Sequence, residues 1–477
     1  MGMHVTDTTL SVQESELRMP FHFGNVHMDE CPRLLVEATV QFDGGTERGR
    51  GMGGVIPTWF LKRPDMTLED GIDALVTVVE HAARLAEEMP RRESVFEFWH
   101  DLYARQADWG ATASYPPLLS QYGTSLVEQA LVDAHCRFES VVFHEAVHEN
   151  TLGIDLGAIH EELDGDEPRA YLPEQPHEEV AVRHTVGLTD PLTEDDVPPE
   201  DRLEDGLPQS LEACIERQGI DHFKVKVGAD VAADRERLRA VAALIEEYHD
   251  EYAVSFDANE QYGTVSEFRE QWETLADDPR LAGFFEHLLY VEQPLDREHS
   301  FGENTRREFA DWEDAPPVII DESDDGLDSL RRALDHGYAG TSHKNCKGVF
   351  KGIANRCLVE RRRESGATAV MSAEDLTTIG PVEVQQDLAV VATLGIANVE
   401  RNGHHYLRGL SMYTDRFQEA VLEAHPDLYR RHEDGYPTLA VSGGSIRIAS
   451  VLDAPFGYAV EVDTTEFTPI SEWRSRQ

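Results

Sequence analysis

Residues 222–257, HFKVKVGADVAADRERLRAVAALIEEYHDEYAVSFD, alternate between a strand pattern and a helix pattern. Two short apolar runs, His222–Gly228 and Ala253–Asp257, enclose a stretch whose apolar residues recur at helical spacing. A helix between two strands is the repeating unit of proteins with parallel sheets. This stretch therefore predicts one β–α–β unit.

The same alternation extends to both sides of this unit. Further candidate strands are Val180–Leu188, Leu288–Gln293, Pro317–Asp321, Gly340–Lys344, Ala367–Met371 and Ile396–Arg401. Eight β–α units over roughly 230 residues match the size of a (β/α)8 barrel. A doubly wound open sheet is the alternative, but neither a GxGxxG motif nor a phosphate loop follows an early strand. The sequence therefore predicts an α/β protein built on a barrel.

The chain divides into three predicted parts. Strands near residues 17–56, followed by helices, are typical of a separate α+β domain. A stretch rich in proline and acidic residues at 160–179 then marks a boundary. The predicted parts are an α+β domain at 1–165, the barrel at 175–405 and a segment at 406–477 that returns to the first domain.

The composition is strongly acidic. The 477 residues include 91 Asp and Glu against 42 Lys and Arg, giving a net charge of −49. Such a charge argues against nucleic-acid and anionic-membrane partners, which are polyanions. The first residues lack a signal-peptide pattern, so we expect a cytoplasmic protein. Because the acidic residues are spread along the whole chain, we also expect a halophilic host.

Lysine is scarce, and most of it is concentrated in two places. Only six residues of the chain are lysine, and five of them lie in the stretches 224–226 and 344–351. A solvated surface gives no reason for such clustering, so both stretches are candidates for chemistry. The five cysteines form no CxxC pair, which indicates neither a disulfide framework nor a zinc knuckle. We expect them to be buried small residues.

Carboxylates end three consecutive predicted strands, where barrels carry their functional groups. They are Asp257, Glu292 and Asp321, and lysines end the strands on either side. Each carboxylate taken alone is more often a helix cap or a turn residue. Taken together in one pocket they would repel one another, so a cation is expected between them. Oxygen ligands favour Mg²⁺, or Mn²⁺, over zinc.

Five short motifs in this order resemble the enolase superfamily. They are KVK (224–226), FDAN (256–259), VEQP (291–294), DES (321–323) and HKNCKG (343–348). The resemblance implies a modified TIM barrel with an α+β capping domain. It also implies Mg²⁺ held by Asp257, Glu292 and Asp321, and a substrate carboxylate that is converted to an enolate.

The lysines most resemble those of the muconate-lactonizing branch, which has KxK on the second strand and one lysine on the sixth. Lys226 and Lys344 match that arrangement, although Lys347 competes with Lys344. The mandelate-racemase branch uses a histidine after the seventh strand, where this chain has none. We therefore expect isomerisation by a racemase, epimerase or cycloisomerase. The alternatives are dehydration of an acid sugar or hydroxy acid, and a catalytically silent barrel that binds metal and acid.

The roles of individual residues follow from charge placement. Lys226 is predicted to be the base, with the like charge of Lys224 lowering its pKa, and Lys344 to act from the other side. The expected partner is a small carboxylate substrate, and by resemblance the chain is expected to form a homo-oligomer. The residues assigned to substrate binding are Asn259, Glu322, Glu400, His404, Phe21 and Trp59. Phe21 and Trp59 belong to aromatic loops that could close over the site.

Overall fold

The computed structural model describes residues 2–23, 26–62 and 66–476, with the side chains of 21–23, 26 and 27 left aside. In the N-terminal layer the elements are β1 (Met3–Gln13), β2 (Glu16–Phe23), β3 (Val26–Glu30), β4 (Arg33–Phe42), β5 (Gly45–Gly54), α1 (Pro57–Phe60), α2 (Leu68–Glu88), α3 (Val95–Thr112), α4 (Pro117–Glu139) and α5 (Phe143–His148). The strand β1 begins well before the predicted strands. The predicted helices are present as α2, α3 and α4.

Strands and helices then alternate as predicted. They are β6 (Glu179–Val186), α6 (Leu211–Gln218), β7 (His222–Lys226), α7 (Val231–Tyr248), β8 (Ala253–Asp257), α8 (Val265–Ala276), α9 (Ala282–Glu286), β9 (Leu288–Glu292), α10 (Glu303–Ala310), β10 (Val318–Ile320), α11 (Ser329–Asp335), β11 (Gly340–His343), α12 (Val349–Glu364), β12 (Val370–Ala373), α13 (Glu383–Thr393), β13 (Asn398–Glu400) and α14 (Gly403–Tyr406).

The remaining elements are short. They are α15 (Asp415–Ala424), β14 (Tyr429–Arg431), β15 (Pro437–Leu439), β16 (Ser445–Arg447), α16 (Ala449–Leu452), β17 (Thr468–Pro469) and α17 (Ile470–Arg474). Strand β17 pairs with β1, and β16 pairs with β6, both in antiparallel fashion. None of the described helices combines the length and low polarity that crossing a bilayer would require.

Eight parallel strands form a curled sheet in the order β12-β11-β10-β9-β8-β7-β6-β13. Pairing of β13 with β6 joins the first and last barrel strands and confirms the predicted barrel class. The two ends of this series, β12 and β13, are linked through a buried side chain of β6. Arg183 donates from Nη1 to Asn398 Oδ1 at 2.5 Å and from Nη2 to the carbonyl oxygen of Ala373 at 3.1 Å.

The N-terminal layer is an antiparallel sheet, β17-β1-β4-β5, covered by α4. Strand β5 is rich in glycine, and a Cβ atom at Gly49 or Gly51 would overlap a carbonyl oxygen of α4. The missing side chains therefore let the helix backbone lie directly against the strand. This contact holds α1, which follows β5, at the edge of the barrel.

We expect Gly51→Ala to destabilise the protein by about 1–3 kcal/mol, because its Cβ would overlap the carbonyl oxygen of Leu126 in α4. Thermal and denaturant unfolding measure this change. Gly302→Ala is the matched control, since a Cβ there would lie 3.7 Å from its nearest neighbours, an ordinary contact. Equal stability of the two variants would contradict the packing argument.

Candidate active site

A cavity of about 310 Å³ opens at the carboxyl ends of the barrel strands. Helix α1 of the N-terminal layer forms part of its wall. Among the residues predicted for the site, those that line the cavity are Trp59, Lys224, Lys226, Asp257, Asn259, Asp321, Lys344 and Glu400. Strand ends and one helix of the N-terminal layer thus meet around one space large enough for a small molecule.

Several buried carboxylates lie at this end of the barrel, and five of them end a strand or directly follow one. We call Asp257, Glu292, Asp321, Glu374 and Glu400 the acidic cluster. They follow or end strands β8, β9, β10, β12 and β13, whose carboxyl ends converge. Each is almost completely excluded from solvent. Buried carboxylates at such density require positive charge nearby.

Lys224 supplies positive charge at the centre of the acidic cluster. Its Nζ lies 2.7 Å from Glu374 Oε2, and within 3.1 Å of carboxylate oxygens of Asp257, Glu292 and Glu400. Burial alone would lower the pKa of Lys224, but these carboxylates raise it well above its ordinary value. Lys224 is therefore an ammonium ion that holds four strand ends together.

The carboxylates closest to one another differ from the predicted metal ligands. One oxygen from each of Glu292, Asp321 and Glu374 lies within 4.8 Å of the other two, close enough to bind one ion. Asp257 is outside this group. Its Oδ2 instead accepts a hydrogen bond from Lys226 and contacts Lys224. The close group therefore contains Glu374, which the sequence analysis did not select.

Glu374 was missed because of where the seventh strand ends. The predicted strand stopped at Met371, whereas β12 continues to Ala373 and places Glu374 directly after the strand. A carboxylate in that position is the same signal that identified Asp257, Glu292 and Asp321. If the predicted strand had been extended by three residues, from Met371 to Glu374, the same rule would have selected Glu374.

The close group fits a hard divalent cation. All three donors are buried carboxylates, the ligand type that Mg²⁺ and Mn²⁺ prefer. Burial and the neighbouring Asp257 and Glu374 raise the pKa of Glu292 well above its ordinary value. Its Oε2 accepts no hydrogen bond from the described residues, although Lys224 Nζ lies 2.9 Å away. A cation at this point would favour the ionised form of Glu292.

Lys226 and Lys344 reach the cavity from strands on opposite sides of β8–β10. Lys226 Nζ donates to Asp257 Oδ2 at 2.6 Å and to Asn259 Oδ1 at 2.7 Å. Lys344 Nζ lies 2.8 Å from both oxygens of Asp321 and 5.1 Å from the ring centroid of Trp59. The two amines therefore face one space from two directions.

Lys344, not Lys347, lines the cavity. Lys347 lies behind it and donates to the carbonyl oxygen of Ser342 at 2.7 Å and to Asp321 Oδ1 at 3.0 Å. Burial would lower the pKa of Lys344, but Asp321 and Glu374 outweigh it and raise that pKa well above the ordinary value. The sequence left the choice between these two lysines open.

The residues assigned to substrate binding are placed differently from one another. Asn259, Glu400 and Trp59 line the cavity. Glu322 is buried beside Asp321, and neither of its carboxylate oxygens has a hydrogen-bond partner among the described residues. His404 lines a separate, smaller cavity instead of the central one. The side chain of Phe21 is outside the described side chains.

Lys62 is a further cavity residue that the sequence analysis did not select. It is the one lysine outside the two sequence clusters, and it follows α1. Its Nζ lies 2.5 Å from Glu260 Oε2 and donates to the carbonyl oxygen of Asn259 at 3.1 Å. The N-terminal layer therefore contributes a cation as well as Trp59 to the cavity wall.

Comparison with known protein families identifies the central part of the chain. Residues 207–349, which contain most of the acidic cluster, match the family model described as enolase C-terminal domain-like. These residues therefore form a domain similar to the enolase C-terminal domain. No curated protein matches the chain significantly.

Solved structures share the fold over nearly the whole chain. A mandelate racemase/muconate lactonizing protein from Herpetosiphon aurantiacus has a TM-score of 0.61 at 16% identity, covering 96% of this chain and 99% of its own. A dipeptide epimerase from Enterococcus faecalis V583 has a TM-score of 0.58 at 12% identity, covering 96% and 100%. An enolase from Bradyrhizobium, complexed with magnesium and mandelic acid, has a TM-score of 0.56 at 14% identity, covering 94% of each chain.

The buried Glu322 predicts a pH-dependent stability difference. Burial, Asp321 and Glu260 raise the pKa of Glu322 to about 8, whereas an unfolded glutamate titrates near about 4.3. The folded chain therefore holds a proton that the unfolded chain has lost, and stability falls as pH rises between these values. Glu322→Gln removes this dependence. In metal-free protein, the melting temperature of Glu322→Gln minus that of the unaltered chain should increase as the pH is raised from about 5 to about 8.

Differential scanning calorimetry across this pH range measures the difference. Glu364→Gln, at an exposed position on α12, is the control and should show no such trend. A difference in melting temperature between Glu322→Gln and the unaltered chain that stays constant with pH would contradict the prediction.

Proposed function

We propose that this protein is a divalent-metal-dependent enzyme that removes the α-proton of a small carboxylate substrate and returns it, giving isomerisation. One observation carries the proposal. Two lysines, Lys226 and Lys344, face the same cavity. They approach it from opposite sides of three buried carboxylates, those of Glu292, Asp321 and Glu374, which are suited to binding a divalent cation. Two amines on opposite sides of a carbon atom are what removal and return of a proton require.

The residues that would hold the cation are Glu292, Asp321 and Glu374, with Asp257 beside them. When bound, Mg²⁺ (or Mn²⁺) supplies positive charge that stabilises the second negative charge of an enolised carboxylate. The Bradyrhizobium relative complexed with magnesium and mandelic acid supports this choice of ion and of substrate class. The dipeptide epimerase among the similar structures supports isomerisation.

Lys226 is the proposed base. It lies beside Lys224, since the Nζ atoms of both lysines contact the same oxygen, Asp257 Oδ2. Asn259 Oδ1 accepts a second hydrogen bond from Lys226 and fixes the direction of its Nζ. Lys224 itself is enclosed by four carboxylates and keeps its proton, so its proposed role is to position the acidic cluster beside Lys226.

Lys344 is the proposed acid, or the base for the opposite stereoisomer. Trp59 covers it from the N-terminal layer, so that water has limited access to the amine. With this lysine pair and no histidine after β12, the site matches the muconate-lactonizing branch better than the mandelate-racemase branch. We also propose a cytoplasmic, halophilic setting, and the assays below are therefore run in concentrated salt.

Lys226→Arg should abolish α-proton exchange while leaving substrate binding in place. Arginine keeps the positive charge but does not lose its proton near neutral pH, so it cannot act as a base. Exchange into deuterated water is followed by NMR over libraries of hydroxy acids, acid sugars, dipeptides and N-acyl amino acids. Lys351→Arg is the matched control, because Lys351 binds Asp324 away from the cavity and should not affect exchange.

The same experiment separates the competing functions. Exchange that proceeds unchanged in Lys226→Arg would contradict the assignment of the base. Loss of a β-leaving group instead of proton return would show a dehydratase. Metal and acid binding without exchange in the unaltered chain would show a binding protein.

Glu374→Gln should weaken Mg²⁺ binding at least about tenfold, because it replaces one of three clustered anionic donors with a neutral amide. Isothermal titration calorimetry measures the affinity. Asp133→Asn, a buried acid in the N-terminal layer, serves as the control and should bind Mg²⁺ like the unaltered chain. Equal affinity in Glu374→Gln and Asp133→Asn would remove Glu374 from the ligand set.

A further inference from the structure

A second cluster of metal-ligand side chains lies on the outer face of the barrel. Arg183 and Thr185 of β6 point inward, since they contact Glu374 and Glu400 of the acidic cluster. His184, between them, must point outward because strand side chains alternate. There it meets Cys214 from α6 and His405 from α14.

The donor atoms of His184, Cys214 and His405 are close enough to share an ion. One from each residue lies within 4.8 Å of the other two. Cys214 Sγ is 3.9 Å from His405 Nδ1, and the two imidazole rings meet edge to face with centroids 5.0 Å apart. Donors around a tetrahedral zinc ion are separated by about 3.3–3.7 Å, as follows from bond lengths of roughly 2.0–2.3 Å. Movement of about 1 Å therefore completes the geometry.

Apart from the contact between Cys214 and His405, hydrogen bonds among the described residues do not account for this cluster. Nδ1 of His184 is buried and has no hydrogen-bond partner among the described residues. A buried polar atom without a partner is unfavourable, and native proteins rarely contain one without a reason. Burial also lowers the pKa of His184 to about 4, so near pH 7 its ring is neutral and carries a free lone pair. A cation between the three side chains would be bound by the unprotonated nitrogen of this ring.

We propose that His184, Cys214 and His405 form a zinc site separate from the acidic cluster. Imidazole and thiolate are ligands that favour Zn²⁺ and disfavour Mg²⁺, so the two sites would select different ions. Burial raises the pKa of the Cys214 thiol, and binding of Zn²⁺ therefore releases one proton from sulfur to solvent as the Zn–S bond forms. Three protein donors leave the fourth position to a water molecule.

This site would position the wall of the central cavity. It joins β6, α6 and α14, and Tyr406, which lines the cavity, follows His405 directly. The carbonyl oxygen of His405 also accepts a hydrogen bond of 2.9 Å from Arg18 in β2. A bound ion would thus fix the junction between the barrel and the β2 strand. The site does not depend on the proposed reaction.

The test uses full-length protein treated with a chelator and then saturated with Mg²⁺. Co²⁺ is added as a spectroscopic substitute for Zn²⁺, and the near-ultraviolet absorption of a thiolate–cobalt bond is recorded. We expect this absorption to reach its maximum at one equivalent and to disappear when Zn²⁺ is added. Calorimetric titration with Zn²⁺ gives the affinity.

Four variants locate the binding. Cys214→Ser should abolish the thiolate absorption, and both Cys214→Ser and His405→Gln should weaken Zn²⁺ binding at least about tenfold. Cys357→Ser, at another buried cysteine, and Glu374→Gln, in the acidic cluster, should leave both signals unchanged. Absence of the absorption in the unaltered chain, or its persistence in Cys214→Ser, would overturn the proposal. If Cys214→Ser fails to fold, an unchanged Zn²⁺ affinity in His405→Gln would also overturn the proposal.

Discussion

The balance of buried charge at the carboxyl ends of the barrel strands is the constraint on which the site depends. Carboxylates removed from water are strongly unfavourable unless cations contact them. Lys224, Lys344 and Arg183 provide those contacts, and each touches Glu374. A divalent ion would bring two further positive charges to the same place. The carboxylates would then hold Lys344 less strongly, and loss of a proton from this lysine would become easier.

Arg183 connects this balance of charge to the fold itself. The guanidinium group that contacts Glu374 also bridges β12 and β13, the two strands at the ends of the parallel series. Assembly of the site and completion of the barrel therefore depend on the same side chain. The N-terminal layer adds a second level of control, because Trp59 and Lys62 reach the cavity only where α1 and the residue that follows it are held against the barrel.

The sequence predicted the barrel and much of its cavity because both leave local signals. Apolar runs mark the strands, and the scarcity of lysine made Lys226 and Lys344 conspicuous. Glu374 was not predicted, because its selection required the end of one strand to be located more precisely than to within three residues. Hydrophobic periodicity does not give strand ends with that precision. The sequence could not show whether Lys344 or Lys347 faces the cavity, because that depends on the direction of the short turn after β11. The cluster of His184, Cys214 and His405 was not predicted, because its members are far apart in the sequence. Their spacing matches no sequence motif that is typical of metal ligands.

The pairing of β17 with β1 has a consequence for synthesis of the chain. The antiparallel sheet of the N-terminal layer takes one edge strand from residues 468–469, while its other strands come from the first 54 residues. As the ribosome produces the protein, that sheet lacks its outer edge until the whole barrel has emerged. Exposed strand edges promote association between chains, so β1 is at greatest risk of wrong pairing while the polypeptide is still being made.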